Sequence, residues 1–229
     1  RLAKLMNRKD IINNKLTYLS SFGFMALCAF MFSLTFFLFS NLSNSIDDLM
    51  EIGKTPDYIQ MHEGEINKKD IETFAESTKD VEDVQVLSFL NIENSQVILN
   101  GHPLVDSSQD NGICTQSERF DYLLDLDNKR ITANDGEIYV PVCYKGIYDL
   151  EVGQKAFIEN KKFIIAGFLR DSQMTSMMAS SKRFLVSQQD FEALIDKGNN
   201  EYSIEFLLSQ QTNVDHFSQQ YNNAQFPSN

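Results

Sequence analysis

From Leu16 to Ile46 the chain carries no charged side chain. The centre of this stretch, Phe22 to Phe39, is apolar around the whole circumference of a helix, and ten of its side chains are Phe or Leu. About 20 such residues, each rising about 1.5 Å, cross roughly 30 Å of hydrocarbon. Ten Phe and Leu side chains contribute on the order of −3 to −6 kcal/mol on insertion scales, with no charge to offset them. A buried helix of a soluble protein would show polar or charged breaks, and there are none. A cleaved signal peptide would have a shorter apolar core followed by a small-x-small site, which is missing after Phe39. The stretch is read as one transmembrane helix, residues 16–40, with Phe22, Phe30 and Phe39 among its membrane-embedded residues.

Charge is divided by this segment. Ahead of it lie Arg1, Lys4, Arg8, Lys9 and Lys15 against the single acid Asp10, a net of +4, so the remainder carries −16 of the total −12. Such asymmetry predicts a cytoplasmic N-terminus and an acidic domain outside the plasma membrane. The acidic balance argues against nucleic acid, because phosphate neutralisation needs Lys and Arg. Leu2, Leu5, Met6, Ile12 and Leu16 recur at helical spacing among the cations, which suits an amphipathic segment (1–15) on the inner membrane surface. After the span, Ile46, Leu49 and Met50 predict that the helix continues as a stalk (41–54), stopping near Gly53, before Pro56. The chain starts at Arg1 without Met and is expected to be a piece of a longer protein.

Residues 55–229 read as a mixed α/β domain, α+β in class, with two lobes as one arrangement. Asn67-x-x-Asp70, Ser187-x-x-Asp190 and Thr212-x-x-Asp215 each resemble a capping box ahead of a one-faced apolar stripe, predicting three short helices. Phe120 to Leu126 and Tyr202 to Leu208 alternate with period two and predict strands with one buried face. Val84–Ile92 with Gln96–Leu99, and Ala156–Ile158 with Phe163–Leu169, are expected to form hairpins. Gly101 to Gln116 lacks periodicity and is read as loop.

Catalytic patterns are missing. Gly53-Lys54-Thr55 lacks the upstream glycine of a phosphate loop and follows a helix rather than a strand. His62, His102 and His216 have no metal-ligand spacing, and His62, Glu63 and Glu65 are read as polar residues on the surface. Asp125-Leu-Asp127-Asn128 is followed by Lys129-Arg130 where calcium would need oxygen ligands, so it is read as a turn. Ser180-Ser-Lys182-Arg183 is no nucleophile pair, since adjacent residues rarely meet. No enzyme activity, cofactor or metal is expected. Cys114 and Cys143 are candidates for a disulfide if the domain faces an oxidising space; two buried free thiols are the preferred reading.

Three motifs in order, Gly136-Glu-Ile-Tyr-Val-Pro141, Leu150-Glu-Val-Gly153-Gln154 and Phe163-Ile-Ile-Ala-Gly-Phe168, resemble the extracytoplasmic domain of FtsX-like and MacB-like ABC transporter permeases. There a Gly-Glu-Ile-x-Val strand precedes a Leu-x-Val-Gly-Asp turn and a further strand; Gln154 stands here where Asp is usual. Asn14-Lys15-Leu16 matches the start of the family's first span, and Phe168–Met174 with Ser180–Val186 is similar to a Gram-positive subgroup. The resemblance implies a MacB-type periplasmic core domain and a dimeric permease driven by a separate cytoplasmic ATPase. The ATPase would lie close to Arg8, Lys9 and Lys15. It implies that movement is carried outward through the stalk, with a peptide or protein as the preferred partner. The competing reading is a membrane-anchored extracellular binding or sensor domain uncoupled from ATP.

Overall fold

A computed structural model describes residues 14–174, 179–210, 212–224 and 226. The chain divides into two compact units, 1–48 and 49–229. Helix α1 (Lys15–Gly53) has 39 residues, about 58 Å at 1.5 Å per residue. It is the one helix among the described residues long and apolar enough to cross a membrane.

Residues 49–229 follow the mixed α/β pattern expected from the sequence. The elements are β1 (Tyr58–Glu63), α2 (Lys68–Ser77), β2 (Val81–Ile92), β3 (Val97–Leu99), β4 (His102–Pro103), β5 (Asp110–Cys114), β6 (Glu137–Pro141), α3 (Val142–Ile147), β7 (Lys155–Ile158), β8 (Lys161–Leu169), β9 (Ser181–Leu185), α4 (Gln188–Leu194), β10 (Asn199–Leu208) and α5 (Val214–Asn223). The strands form one sheet in the order β1-β10-β2-β5-β9-β6-β8-β7-β3-β4. The β5–β9 and β6–β8 pairs are parallel, and the remaining pairs are antiparallel.

The helices start where their caps predict. Asn67 Oδ1 accepts from Lys69 N at 3.2 Å, and Ser187 Oγ accepts from Asp190 N at 3.1 Å. At α5 the cap is Asn213 rather than Thr212: its Oδ1 accepts from His216 N at 3.1 Å. Helices α2 and α5 cover β10 through a cluster of rings in which Phe206 and Phe217 stand 5.1 Å apart and Tyr58 and Phe217 5.2 Å apart. A larger core, including Leu90, Ile138, Tyr144, Phe163 and Phe184, lies under α3 and α4.

The β7–β8 hairpin forms as expected, with Glu159 and Asn160 at φ 48° and 67°, the left-handed pair that matches strand twist in a two-residue turn. Three expectations are corrected. Phe120–Leu126 is not a strand: Asp121 sits at φ 55°, which breaks extended geometry, and only isolated bridges form at Leu124. Segment 84–92 does not pair with 96–99; β2 lies between β10 and β5, while β3 lies between β7 and β4. Within 101–116, β4 and the buried central strand β5 replace the expected loop.

Candidate functional site: a clasp around the end of the long helix

The last turn of α1 closes with two reversed hydrogen bonds, Lys54 N to Glu51 O at 3.2 Å and Thr55 N to Met50 O at 3.0 Å. This is the Schellman pattern, and its left-handed position is Lys54, at φ 48°. Gly53 is therefore not needed for its own backbone angle. A Cβ there would lie 3.4 Å from Tyr122 O and 3.7 Å from Ser172 Oγ, ordinary contact distances that show two loops packed against the helix end. One of these loops takes up the terminal carbonyls. Tyr122 N donates to Gly53 O at 2.7 Å and Asp121 N to Lys54 O at 2.9 Å.

The residue beside each contact is an aspartate, and one guanidinium joins them. Arg183 on β9 donates from Nε to Asp171 Oδ2 at 2.6 Å, from Nη2 to Asp171 Oδ1 at 2.8 Å, and from Nη1 to Asp121 Oδ2. All three side chains are buried. Asp171 Oδ1 also accepts the amides of Gln173 at 2.8 Å and Met174 at 3.0 Å. Burial works against the Asp171 charge, but Arg183 and the amides outweigh it and hold the carboxyl below its ordinary value. Burial likewise opposes the Arg183 charge, and the two aspartates overcome it, pushing its pKa up. A buried fork of this kind fixes geometry more than it adds net stability, whereas losing one partner strands a charge in the interior.

Glu205 on β10 lies beside this group and is fully buried. The alternation of β10 predicts a solvent-facing position for it; instead both faces of the strand are covered. Its Oε2 accepts from Gln85 Nε2 at 2.7 Å and its Oε1 from Ser203 Oγ at 2.7 Å, both neutral donors. Gln85 also donates to Phe120 O at 3.0 Å and accepts from Ser117 Oγ at 3.0 Å, tying β2 to the loop that holds α1. Burial, then the Asp121 charge, raise the Glu205 carboxyl to about 7 against the pull of Arg183.

Phe22, Phe30 and Phe39 are exposed on α1, and Lys15 is its first residue, also exposed. Arg8 and Lys9 lie outside the described residues. Cys114 and Cys143 are unbonded thiols. Burial pushes Cys114 on β5 up to about 12, and burial also raises Cys143, at the start of α3. His62 is not a surface residue: it is buried on β1, its Nε2 3.3 Å from Glu65 O. No metal-binding group of three or more His, Cys, Asp or Glu occurs among the described residues. The Asp125 turn forms as predicted, Oδ1 accepting from Asp127 N and Lys129 N at 2.8 Å each. The clasp residues escape sequence reasoning. The available signal is a charge set in an apolar strand, Arg183 before Phe184-Leu-Val186 and Glu205 between Ile204 and Phe206.

An open groove of about 480 Å³ lies between β6, β8 and the Asp125 turn, with Leu126, Tyr139, Val152 and Phe168 on its walls and Asp125, Asp127 and Glu151 beside them. No protein-family profile matches the chain, and no curated protein matches it. Among solved structures it is similar to the periplasmic region of MacB from Actinobacillus actinomycetemcomitans, with a TM-score of 0.42 and 11% identity over 78% of this chain and 86% of that one.

Proposed function

We propose that the chain is the N-terminal part of an ABC transporter permease subunit of the FtsX-like and MacB-like mechanotransmitting type. The observation that carries this reading is the meeting of the three resemblance motifs in the fold. Gly136 O accepts from Ile164 N at 2.9 Å, and Gly153 N donates to Ile165 O at 2.8 Å. Gly136 and Gly153 stand at φ 78° and 91°, where glycine is favoured, so the glycines of the first two motifs have a backbone reason. Segments separated in sequence thus form one hydrogen-bonded unit at β6 and β8.

In this reading residues 1–15 lie on the cytoplasmic surface, 16–40 span the plasma membrane, 41–54 form the stalk and 55–229 the extracytoplasmic domain. Arg8, Lys9 and Lys15 lie next to a separate ATPase, which hydrolyses ATP for a dimeric permease. The subunit itself is no enzyme, holds no cofactor and does not bind nucleic acid. The clasp supports the coupling role, because it fastens the end of α1 to the sheet. The open groove favours a peptide or protein as the extracytoplasmic partner, and it equally serves the second reading, an ATP-independent sensor.

Pull-down of the ATPase with the full-length subunit tests the reading. Association is expected and should be lost on deleting residues 1–14; undiminished association counts against these contacts, and none with the intact subunit favours the sensor. A cysteine placed at exposed Val152 should react with a membrane-impermeant maleimide on intact cells. Labelling only after lysis would reverse the orientation.

A further inference from the structure

We propose that the clasp is proton-linked: Glu205 is protonated while the Asp121–Tyr122 segment holds the end of α1, and ionising Glu205 loosens that hold. The inference goes beyond transport and stands whether or not an ATPase acts on the chain.

The charge count drives it. Asp121, Asp171 and Glu205 surround the buried Arg183, so these four groups carry a net charge of −2 when all are ionised; Lys182, the other buried cation on β9, acts on Asp171 and still leaves the group net negative. A proton on one carboxyl relieves this, since buried charge is costly unless paired. Asp171 has both oxygens on Arg183 and two amides in addition, and Asp121 shares the same guanidinium. Glu205 alone of the three lacks a cationic partner among the contacts described, having only Gln85 and Ser203. A proton on Oε1 reverses the Ser203 contact, the hydroxyl oxygen then accepting. The remaining groups near this site are Lys182 on β9, which acts on Asp171, Cys114 on β5, whose thiol is neutral, and farther along β2 the Asp83–Arg119 ion pair. From β1, the residues on the same face are Ile59 and Met61, opposite Glu205 and Ser203, and neither titrates.

Glu205 is connected mechanically to the helix end. Gln85 Nε2 spans Glu205 Oε2 and the carbonyl of Phe120, the residue before Asp121, whose amide holds Lys54 O. Asp121 Oδ1 is buried without a partner and lines a cavity of about 10 Å³, room for about one water. A negative charge appearing on Glu205 repels the Asp121 carboxylate and disturbs both amide donors to α1. The raised Glu205 value, about 7, places the change near neutral pH.

The test uses the full chain in nanodiscs. Carboxyl infrared difference spectra of the unmutated protein should show one protonated carboxylic acid that disappears between pH 6 and 8 and is absent in Glu205→Gln. Hydrogen-exchange protection of the Asp121 and Tyr122 amides, corrected for intrinsic exchange, should fall on the order of ten- to a hundredfold between pH 5 and 8. In Glu205→Gln it should stay level. A carboxyl titrating near 4.5, or the same protection profile with and without Glu205, would overturn the proposal. The infrared result on the unmutated protein decides it even if the variant fails to fold.

Discussion

The amide of Tyr122 donates to the carbonyl of Gly53 across 2.7 Å, and the aspartate beside it is bound by Arg183 of strand β9. A backbone contact at a helix end and a buried ion pair are therefore one structure. The helix terminus is held because Asp121 is held.

Removing Arg183 should release both. Arg183→Met strands two buried carboxylates, with an expected loss of about 3–5 kcal/mol in denaturant unfolding. Arg183→Lys keeps the charge but cannot bond Asp171 through two parallel donors, so its loss should be intermediate. Equal stability of all three proteins would contradict the described clasp.

Lys54 is a non-glycine residue in the left-handed region at the helix stop. Lys54→Gly should raise stability by about 0.5–1 kcal/mol, read as a higher urea midpoint at unchanged slope. Losing the exposed contact of Lys54 over the Tyr122 ring, 5.5 Å from the centroid, works against this gain.

Two glycines should respond oppositely to alanine. A Cβ at Gly198 would lie 2.3 Å from Asn91 O, a backbone atom of the adjoining strand, so Gly198→Ala should cost about 1–3 kcal/mol. Gly146 in α3 has nothing within 4 Å of the added carbon, and Gly146→Ala should gain about 0.5–1 kcal/mol. Thermal unfolding of the pair, compared with the unmutated chain, distinguishes them.

Asp190 joins α4, β6 and the β7–β8 hairpin: Lys161 Nζ lies 2.7 Å from Oδ1, and Gly136 N donates to Oδ2 at 2.7 Å. Burial raises this carboxyl, but Lys161, Gly136 and Ser187 together hold it below the ordinary 3.8. A depressed carboxylate stabilises above its unfolded value, and that contribution disappears as pH falls through the lower folded one. Asp190→Asn should therefore cost about 1.5–3 kcal/mol at pH 7, the range for hydrogen bonds to a charged group. The difference should shrink below pH 3.8. A gap independent of pH would exclude the charge as its source.

Local signals in the sequence were reliable. Capping residues at Asn67 and Ser187, the stop at Gly53, the Glu159-Asn160 turn and the Asp125 turn all lie where short-range chemistry puts them. The failures lie where pairing is distant. Phe120, Leu123 and Leu124 are buried, Leu123 in a cluster with Cys114, Ile131, Leu169 and Leu185, while Leu124 only bridges Arg130 and Arg170, which imitates strand alternation without a strand. Strand β5 is short and contains Asn111 and Gly112, poor strand formers; Gly112 is required because a Cβ would sit 2.2 Å from the Phe89 ring. Arg183 meets Asp121 across 62 positions and Gln85 meets Glu205 across 120, separations that no window along the chain can register.

Strand β10 lies between β1 and β2, and among the described residues β1 has no other neighbour in the sheet. During synthesis, Tyr58–Glu63 therefore has no strand to join until Asn199–Leu208 has been made. One long edge of β2 waits equally long, with its backbone donors and acceptors open to mispairing. Assembly of this half of the sheet is therefore a late event in the folding of the domain, and the interval before it is when the nascent domain is most vulnerable to aggregation.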